Sequence, residues 1–419
     1  MSSEAGNLLE HLFRRQAGRM VAHLVRRFGP SRLDLAEEAV QGAMLRALQT
    51  WPYRGVPENP EGWLFRVAQN LAIDALRRDR HSTDPLDLEL PDPSEPGEVD
   101  FEQQLRDDEL RMILMCSHPE LSRDASVALS LKIAGGLSVR EIARAFLVDV
   151  ATIEQRIVRA KRQIRDRGLT LAMPSGADLE ARLDSVIEVL YFIFNEGYAA
   201  HEGEDLIRRD LCLEALRLGQ LVATSSIAAS SDRAPRVHAL LAVMALQAAR
   251  LAARVDEAGD LILLDDQDRG RWDPGLIALG FRHFERSMTG SDVSEYHVQA
   301  AIAATHARAN ALETTDWPLI LELYDQLFAI NPSPVVALNR AVAVAKVHGA
   351  ARGITAIAPL ENDPKLRDYY LLLAVRGHLL LELGRSAEAA ACFRSALDLR
   401  CSEPERRFLR RKLSAAQSS

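Results

Sequence analysis

Thr152, Gln155, Arg156, Arg159 and Arg162 fall within the stretch LSVREIARAFLVDVATIEQRIVRAKRQIR (Leu137–Arg165) and carry the groups that nucleic acid recognises. Gln and Arg pair with base edges in a major groove, and further basic side chains reach phosphates. They lie opposite Ile153, Ile157, Ala160 and Ile164, an apolar series at helical spacing. Ahead of them, Ser138 and Glu141 make an S-x-x-E capping box that opens another helix, with Ile142, Ala143 and Phe146 on its apolar side. A break at Leu147–Val148 and a capping Asp149 then predict a helix-turn-helix whose second helix is offered to DNA. An ordinary amphipathic helix pair with a solvated basic face is the other reading these residues leave open.

A second set begins at Asn59, which caps a helix with Pro60 at its first position and Leu64, Val67, Ala68, Leu71 and Ala75 as its buried stripe. Arg66, Asn70, Asp74, Arg77 and Arg78 lie off that stripe, beside Trp63. An aromatic ring next to Arg and Asn suits unstacked bases of a single strand, although a Trp at the start of an amphipathic helix is more often core than base platform.

Enzyme chemistry finds no matching pattern: the chain has no nucleophile elbow, P-loop or dinucleotide fingerprint. His201, His238, His283, His297 and His306 lack H-E-x-x-H spacing, and Cys116, Cys212, Cys392 and Cys401 form no C-x-x-C pair. No metal and no cofactor is expected. Asp265–Gly270 resembles a calcium loop, but Gly270 falls one place early and Ile277 stands where the closing Glu belongs. It is read as a polar turn in which Asp266 or Asp268 pairs with Arg269 or Arg271 over Trp272, and Asn195–Tyr198 as another turn.

These residues must be positioned by a chain of 419 residues, long enough for several domains, with 47% apolar content and net charge -8. That charge excludes a protein that coats nucleic acid along its length, so DNA contact is local. No signal-peptide core and no membrane-spanning apolar run is apparent, and a reduced cytoplasm is expected. Residues 1–83 read as helices, and residues 84–110, with Pro85, Pro91, Pro93, Pro96 and many carboxylates, as an extended acidic linker. A helical segment follows over 111–172, then an all-helical region over 173–419, so the fold class is all-α. Within it Gly377, Leu380, Gly384, Ala389, Phe393 and Ala396 have the spacing of a tetratricopeptide (TPR) unit, and Asn339, Ala341, Ala345, Gly349 and Ile357 give a looser copy, placing a repeat near 331–400.

In order and spacing, DLAEEAVQGAMLRALQTW (Asp34–Trp51), NPEGWLFRVAQNLAIDALRRDR (Asn59–Arg80), the acidic linker and the helix-turn-helix together resemble the sigma-70 family of bacterial RNA polymerase initiation factors. They are most similar to its extracytoplasmic-function group, which keeps the second and fourth sigma domains. YFIFNEGYAA (Tyr191–Ala200), LLDDQDRGRWD (Leu263–Asp273) and SPVVALNRAVAVA (Ser333–Ala345) resemble the TPR-like extension of one subgroup.

The resemblance implies that the helix over Leu35–Leu48 docks on the clamp helices of the polymerase largest subunit through Glu37, Glu38, Gln41 and Arg46. It implies capture of the −10 promoter element by Trp63, Arg66, Asn70, Arg77 and Arg78. Reading of the −35 element then falls to Thr152, Gln155, Arg156, Arg159, Lys161 and Arg162. Gly42 departs from the usual acidic residue and is expected to soften the docking helix. The linker would either follow a nucleic-acid channel of the polymerase or act as a plain tether. The helical extension would regulate in cis, with contact to the sigma domains as one route. The other reading is a DNA-tethered helical-repeat scaffold without sigma activity.

Overall fold

Helices dominate the described residues. This computed structural model covers residues 16–80, 98–146, 148–198, 207–290 and 292–418, and an isolated bridge between Val255 and Leu261 is the nearest approach to a strand among them. Two compact units divide the chain, Met1–Val189 and Leu190–Ser419.

The first unit holds α1 (16–28), α2 (Leu33–Arg54), α3 (Pro60–Arg80), α4 (Glu98–Cys116), α5 (Arg123–Ile133), α6 (Val139–Phe146), α7 (Val150–Asp166) and most of α8 (Gly176–Tyr198). Ala36, Ala39, Val40, Ala43, Met44 and Ala47 repeat at helical spacing along α2 and are buried. Gly42 has a packing reason rather than a softening role: a Cβ there would stand 2.9 Å from Leu71 Cδ1, so the glycine lets α2 pass close to α3. On α3 the expected stripe is rotated slightly, with Leu64, Phe65, Ala68 and Ala72 buried and Val67, Leu71 and Ala75 partly covered.

The linker expected to be extended over 84–110 is helical over its last part, residues 98–110, and its earlier part lies outside the described residues. Leu105, Leu110, Met112 and Ile113 supply a buried helical face that outweighs the local charge density. The buried acidic residue Asp108 is absorbed by pairing: its carboxylate meets His23 Nδ1 at 3.0 Å and accepts from Arg26 at 2.7 Å. Such pairing offsets the desolvation that would otherwise expel a carboxylate from a core.

In α6 the capping box forms, with Ser138 N donating to Glu141 at 2.8 Å and Glu141 N to Ser138 Oγ at 3.2 Å. Asp149 stands at the N-cap of α7 but makes no side-chain capping bond. Leu147 of the expected break lies outside the described residues.

The second unit takes in the end of α8, then α9 (Arg209–Ala223), α10 (Ser226–Ala229), α11 (Ala234–Ala248), α12 (Pro274–Ser287), α13 (Glu295–Arg308), α14 (Trp317–Ile330) and α15 (Pro334–His348). It continues with α16 (Ala350–Ile357), α17 (Tyr370–Glu382), α18 (Ser386–Leu397) and α19 (Glu403–Ser418). The apolar stretch Ala234–Ala253 is long enough to cross a membrane, contrary to expectation, yet it is 72% buried and packs on α9, α12 and α13 as a core helix. From α13 to α19 each helix packs on the next, the serial arrangement of helical repeats. Gly384, at φ 71, turns the chain between α17 and α18, and Gly377 makes room for the Phe393 ring, whose atoms lie 2.9 Å from where a Cβ would be. In the looser copy Ala341, Ala345 and Ile357 are buried as expected, while Asn339 is exposed.

Two motif readings change. Asn195–Tyr198 is the last turn of α8 rather than a separate turn; Gly197 permits α9 to approach, since a Cβ there would meet Leu211 Cβ at 2.8 Å. In the Asp265–Trp272 segment the carboxylates do not pair with the neighbouring arginines. Asp265 binds Lys346 at 2.6 Å, while Arg269 donates to the carbonyls of His306 and Ala309 at 2.6 and 2.7 Å. Trp272 is buried as expected, with Arg250 and Arg269 over its ring.

Two histidines of this unit are held neutral. His283 stacks on His238 with their Nδ1 atoms 2.9 Å apart; burial first, then the His238 charge, pulls His283 down to about 4. Burial, reinforced by Arg250 and Arg269, does the same to His306, also to about 4. Because the folded pKa values lie below the ordinary 6.5, this stability is complete above about pH 6.5 and is lost as pH falls toward 4. Thermal denaturation of the full chain is therefore expected to show a melting temperature that falls between pH 7 and pH 4.5. His283→Asn with His306→Asn should flatten that fall, by an amount on the order of a few kcal/mol. Parallel curves for both proteins would refute the assignment.

Candidate nucleic-acid interface

The exposed face of α7 follows from its buried side. Ile153, Ile157, Ala160 and Ile164 are all buried, which leaves Gln155, Arg159 and Arg162 exposed along one strip. Val158 is also 62% exposed among them. An apolar side chain kept in water between Gln155 and Arg162 matches what a thymine methyl asks of a groove-reading helix. Sequence patterning passed over it because Val158 looks like an ordinary hydrophobic residue until its direction is known.

Other members of the same set are held within the protein. Thr152 is half-buried, and Arg156 makes a 2.7 Å ion pair with Asp124 in the first turn of α5. Lys161 turns away from the exposed strip altogether. Its ammonium bridges Asp34, at 2.6 Å, and Glu37, both on α2. Glu37 also lies 3.6 Å from Lys132 on α5. Burial alone would lower the Lys161 pKa, but Glu37 and Asp34 outweigh it and hold the ammonium above its ordinary value. A residue assigned to DNA and one assigned to a protein partner thus neutralise each other.

On α3, Asn59 Oδ1 accepts from Gly62 N at 2.8 Å and starts the helix as expected. Arg66, Asn70, Arg77 and Arg78 are exposed, and Trp63 is half-buried, edge-on to the buried Trp51 with ring centroids 5.5 Å apart. Trp63 thus packs one side on α2, with the exposed basic residues of α3 beside it.

On α2, Glu38, Gln41 and Arg46 are exposed, while Glu37 is nearly covered by its lysines. Leu45 and Leu48 share the exposed side with Gln41, at 56% and 51% exposure. Carboxylate and amide groups beside exposed leucines suit a protein partner better than a nucleic acid. Another close contact joins α1 to α5: a Cβ on Gly18 would stand 2.6 Å from the carbonyl oxygens of Ile133 and Ala134 at the end of α5. Among the described residues no group of three His, Cys, Asp or Glu side chains is placed to hold a metal.

Comparison with known proteins follows the same partition. The family model Sigma-70 region 2 matches residues 13–82 and Sigma-70, region 4 matches 111–164. A family of unknown function (DUF6596) matches 182–288. An uncharacterized protein of Rhizobium meliloti (strain 1021) is 41% identical over 386 residues, 91% of this chain and 90% of its own. The ECF RNA polymerase sigma factor SigE of Mycolicibacterium smegmatis is 30% identical over 160 residues, 38% of this chain and 60% of that protein. No solved structure matches.

The Lys161–Glu37 contact predicts energetic coupling between residues far apart in sequence. In a double-mutant cycle of Lys161→Met and Glu37→Gln, thermal unfolding should give a coupling energy of about 1–3 kcal/mol. The exposed Asp34→Asn, by contrast, should cost roughly 1 kcal/mol or less. Additive effects of the first two changes would show that the bridge does not hold the unit together.

Proposed function

Because the chain belongs to the sigma-70 family of RNA polymerase initiation factors, in its extracytoplasmic-function group with a long helical C-terminal extension, we propose a division of labour among three helices. Helix α2 docks on the clamp helices of core RNA polymerase through Glu38, Gln41 and Arg46, with Leu45 and Leu48 adding apolar contact. Helix α3 captures unstacked bases of the −10 element on Trp63, Arg66, Asn70, Arg77 and Arg78. Helix α7 reads the −35 element through Gln155, Val158, Arg159 and Arg162, with Thr152 and Arg156 at its margins. The observation that carries this reading is α7, whose apolar side is fully buried while a Gln–Val–Arg–Arg strip faces solvent.

The ion bridge from Lys161 of α7 to Asp34 and Glu37 of α2 adds a step. Promoter elements about 25 base pairs apart are separated by roughly 85 Å of duplex at 3.4 Å per pair. Helices joined by an ion pair cannot occupy both at once, so the packed arrangement is a resting state that opens on the polymerase. Opening frees Lys161 for a phosphate and Glu37 for a basic clamp helix, and the charges exchange one set of partners for another. The role is non-catalytic and is exercised where the polymerase works, in the cytoplasm. We assign residues 1–83 and 111–172 to the two sigma domains, 84–110 to their connection and 173–419 to regulation in cis.

Run-off transcription with purified core polymerase tests the assignment. Wild-type protein should confer specific starts, and Arg159→Ala should lower initiation by about 1–3 kcal/mol of discrimination at one base position of the −35 element. Arg162→Ala should weaken all promoters alike and reduce the salt slope of binding by about one. Leu45→Asp should abolish polymerase binding while leaving the melting temperature unchanged. DNA binding without specific transcripts would identify a tethered scaffold and reject sigma activity. Removing residues beyond Met173 should change initiation in one direction or the other, and identical yields would reject control in cis.

A further inference from the structure

The segment Leu261–Asp265 has no part in the sigma chemistry, yet both of its ends are anchored. Asp260, just ahead of it, is bound by Arg407 and Arg411 of α19, and Asp265 by Lys346 of α15. Leu261, Leu263 and Leu264 nevertheless stay only half-buried. With α15 and α17 they border a cavity of about 240 Å³. Trp317 of α14, Tyr370 of α17, Phe393 of α18 and Phe408 of α19 bring four aromatic rings to it from four helices. A leucine-bearing loop fixed at both ends against such walls makes a preformed apolar pocket.

The polar groups of the lining select against charge. Lys346 pairs with Asp265 at 2.6 Å, Glu382 lies 3.2 Å from His378 Nε2, and the Tyr370 hydroxyl donates to Glu405. In sum, Lys346 and Lys412 stand against Asp265 and Glu382, and the formal charges cancel. His378 sits among all four, and burial above all holds it below its usual value, so it adds no charge at neutral pH. A charged guest would give up its water and meet no net countercharge, a cost that a neutral guest avoids. Volume sets the size: a benzene-sized guest fills roughly 150 Å³, so this space suits about ten non-hydrogen atoms. The four rings set the shape, because a flat aromatic guest can meet them edge to face, a gain that a saturated ring of the same volume forgoes.

We propose that this cavity binds a small, neutral aromatic compound, seated among Leu261, Leu263, Leu371 and the rings of Tyr370, Phe393 and Phe408. Such a ligand stabilises the unit formed by Leu190–Ser419 as its occupancy rises and makes the extension a receptor in its own right. The site stands independently of sigma activity, because every lining residue lies within that unit.

Isothermal titration of the full-length protein at neutral pH with acetophenone, benzoate and benzamidine tests it, since the three share one size and shape and differ in charge. Acetophenone should bind at one site per chain, about tenfold more tightly than either ion. Cyclohexyl methyl ketone, its saturated counterpart, should bind more weakly than acetophenone. Glu382→Gln leaves a cation in excess and should raise benzoate affinity toward that of acetophenone; Lys412→Met leaves a carboxylate in excess and should do the same for benzamidine. Ala374→Phe, on the cavity wall, should abolish acetophenone binding without altering the helical circular dichroism. The proposal is overturned if acetophenone does not bind, if either ion or the saturated ketone binds wild type as tightly, if both charge variants keep the wild-type preferences, or if folded Ala374→Phe binds acetophenone as wild type does. Should Ala374→Phe fail to fold, the wild-type series and the two charge variants decide.

Discussion

One lysine ties helix α7 to helix α2. Lys161 leaves the exposed side of α7 and places its ammonium between Asp34 and Glu37, where little water reaches Glu37 or the lysine. Removing one member of such a pair strands the other charge, which is far more costly than never having buried the pair. Around it the remaining contacts fall into place: Lys132 lies close to Glu37, and Gly18 brings α1 against the end of α5. The two matched sigma regions consequently belong to one compact unit instead of two independent beads.

That joint gives the sigma reading its mechanical content. Residues proposed to meet DNA and the polymerase, Lys161 and Glu37, screen each other in the ion-paired form, which on that proposal discourages promiscuous binding of a basic helix to any duplex. Only a partner that supplies alternative charges to both sides can separate them at small net free-energy change. The chain's net charge of -8 works in the same direction, since the exposed basic strips on α3 and α7 are local exceptions on an acidic protein.

Much of this was legible in the sequence wherever a side chain's role follows from its near neighbours. The stripe Ile153–Ile157–Ala160–Ile164, the Ser138–Glu141 box, the Asn59 cap and the Gly377/Phe393 spacing each reflect helical geometry within a few turns. What could not be read depends on distant partners. Lys161 and Glu37 are 124 positions apart, so Lys161 counts as a phosphate contact until the fold turns it inward. Residues 98–110 look like an acidic tether until His23 and Arg26 appear beside Asp108. Glycines 42 and 197 read as softness or a turn, whereas each marks a close helix approach. Exposed Val158, Leu45 and Leu48 carry no sequence signal beyond being apolar, because direction on a helix is settled by packing.

The central claim is that α2 and α7 are joined in the free protein and part on the polymerase. All four native cysteines are buried, so a donor and acceptor dye can be placed selectively on Arg54→Cys and Arg165→Cys, both exposed. Energy transfer should be high for the free chain and fall sharply when core polymerase and promoter DNA are added, with separation growing by several tens of Å toward the roughly 85 Å that the two elements span. Unchanged transfer in a complex that starts transcripts specifically would contradict the account.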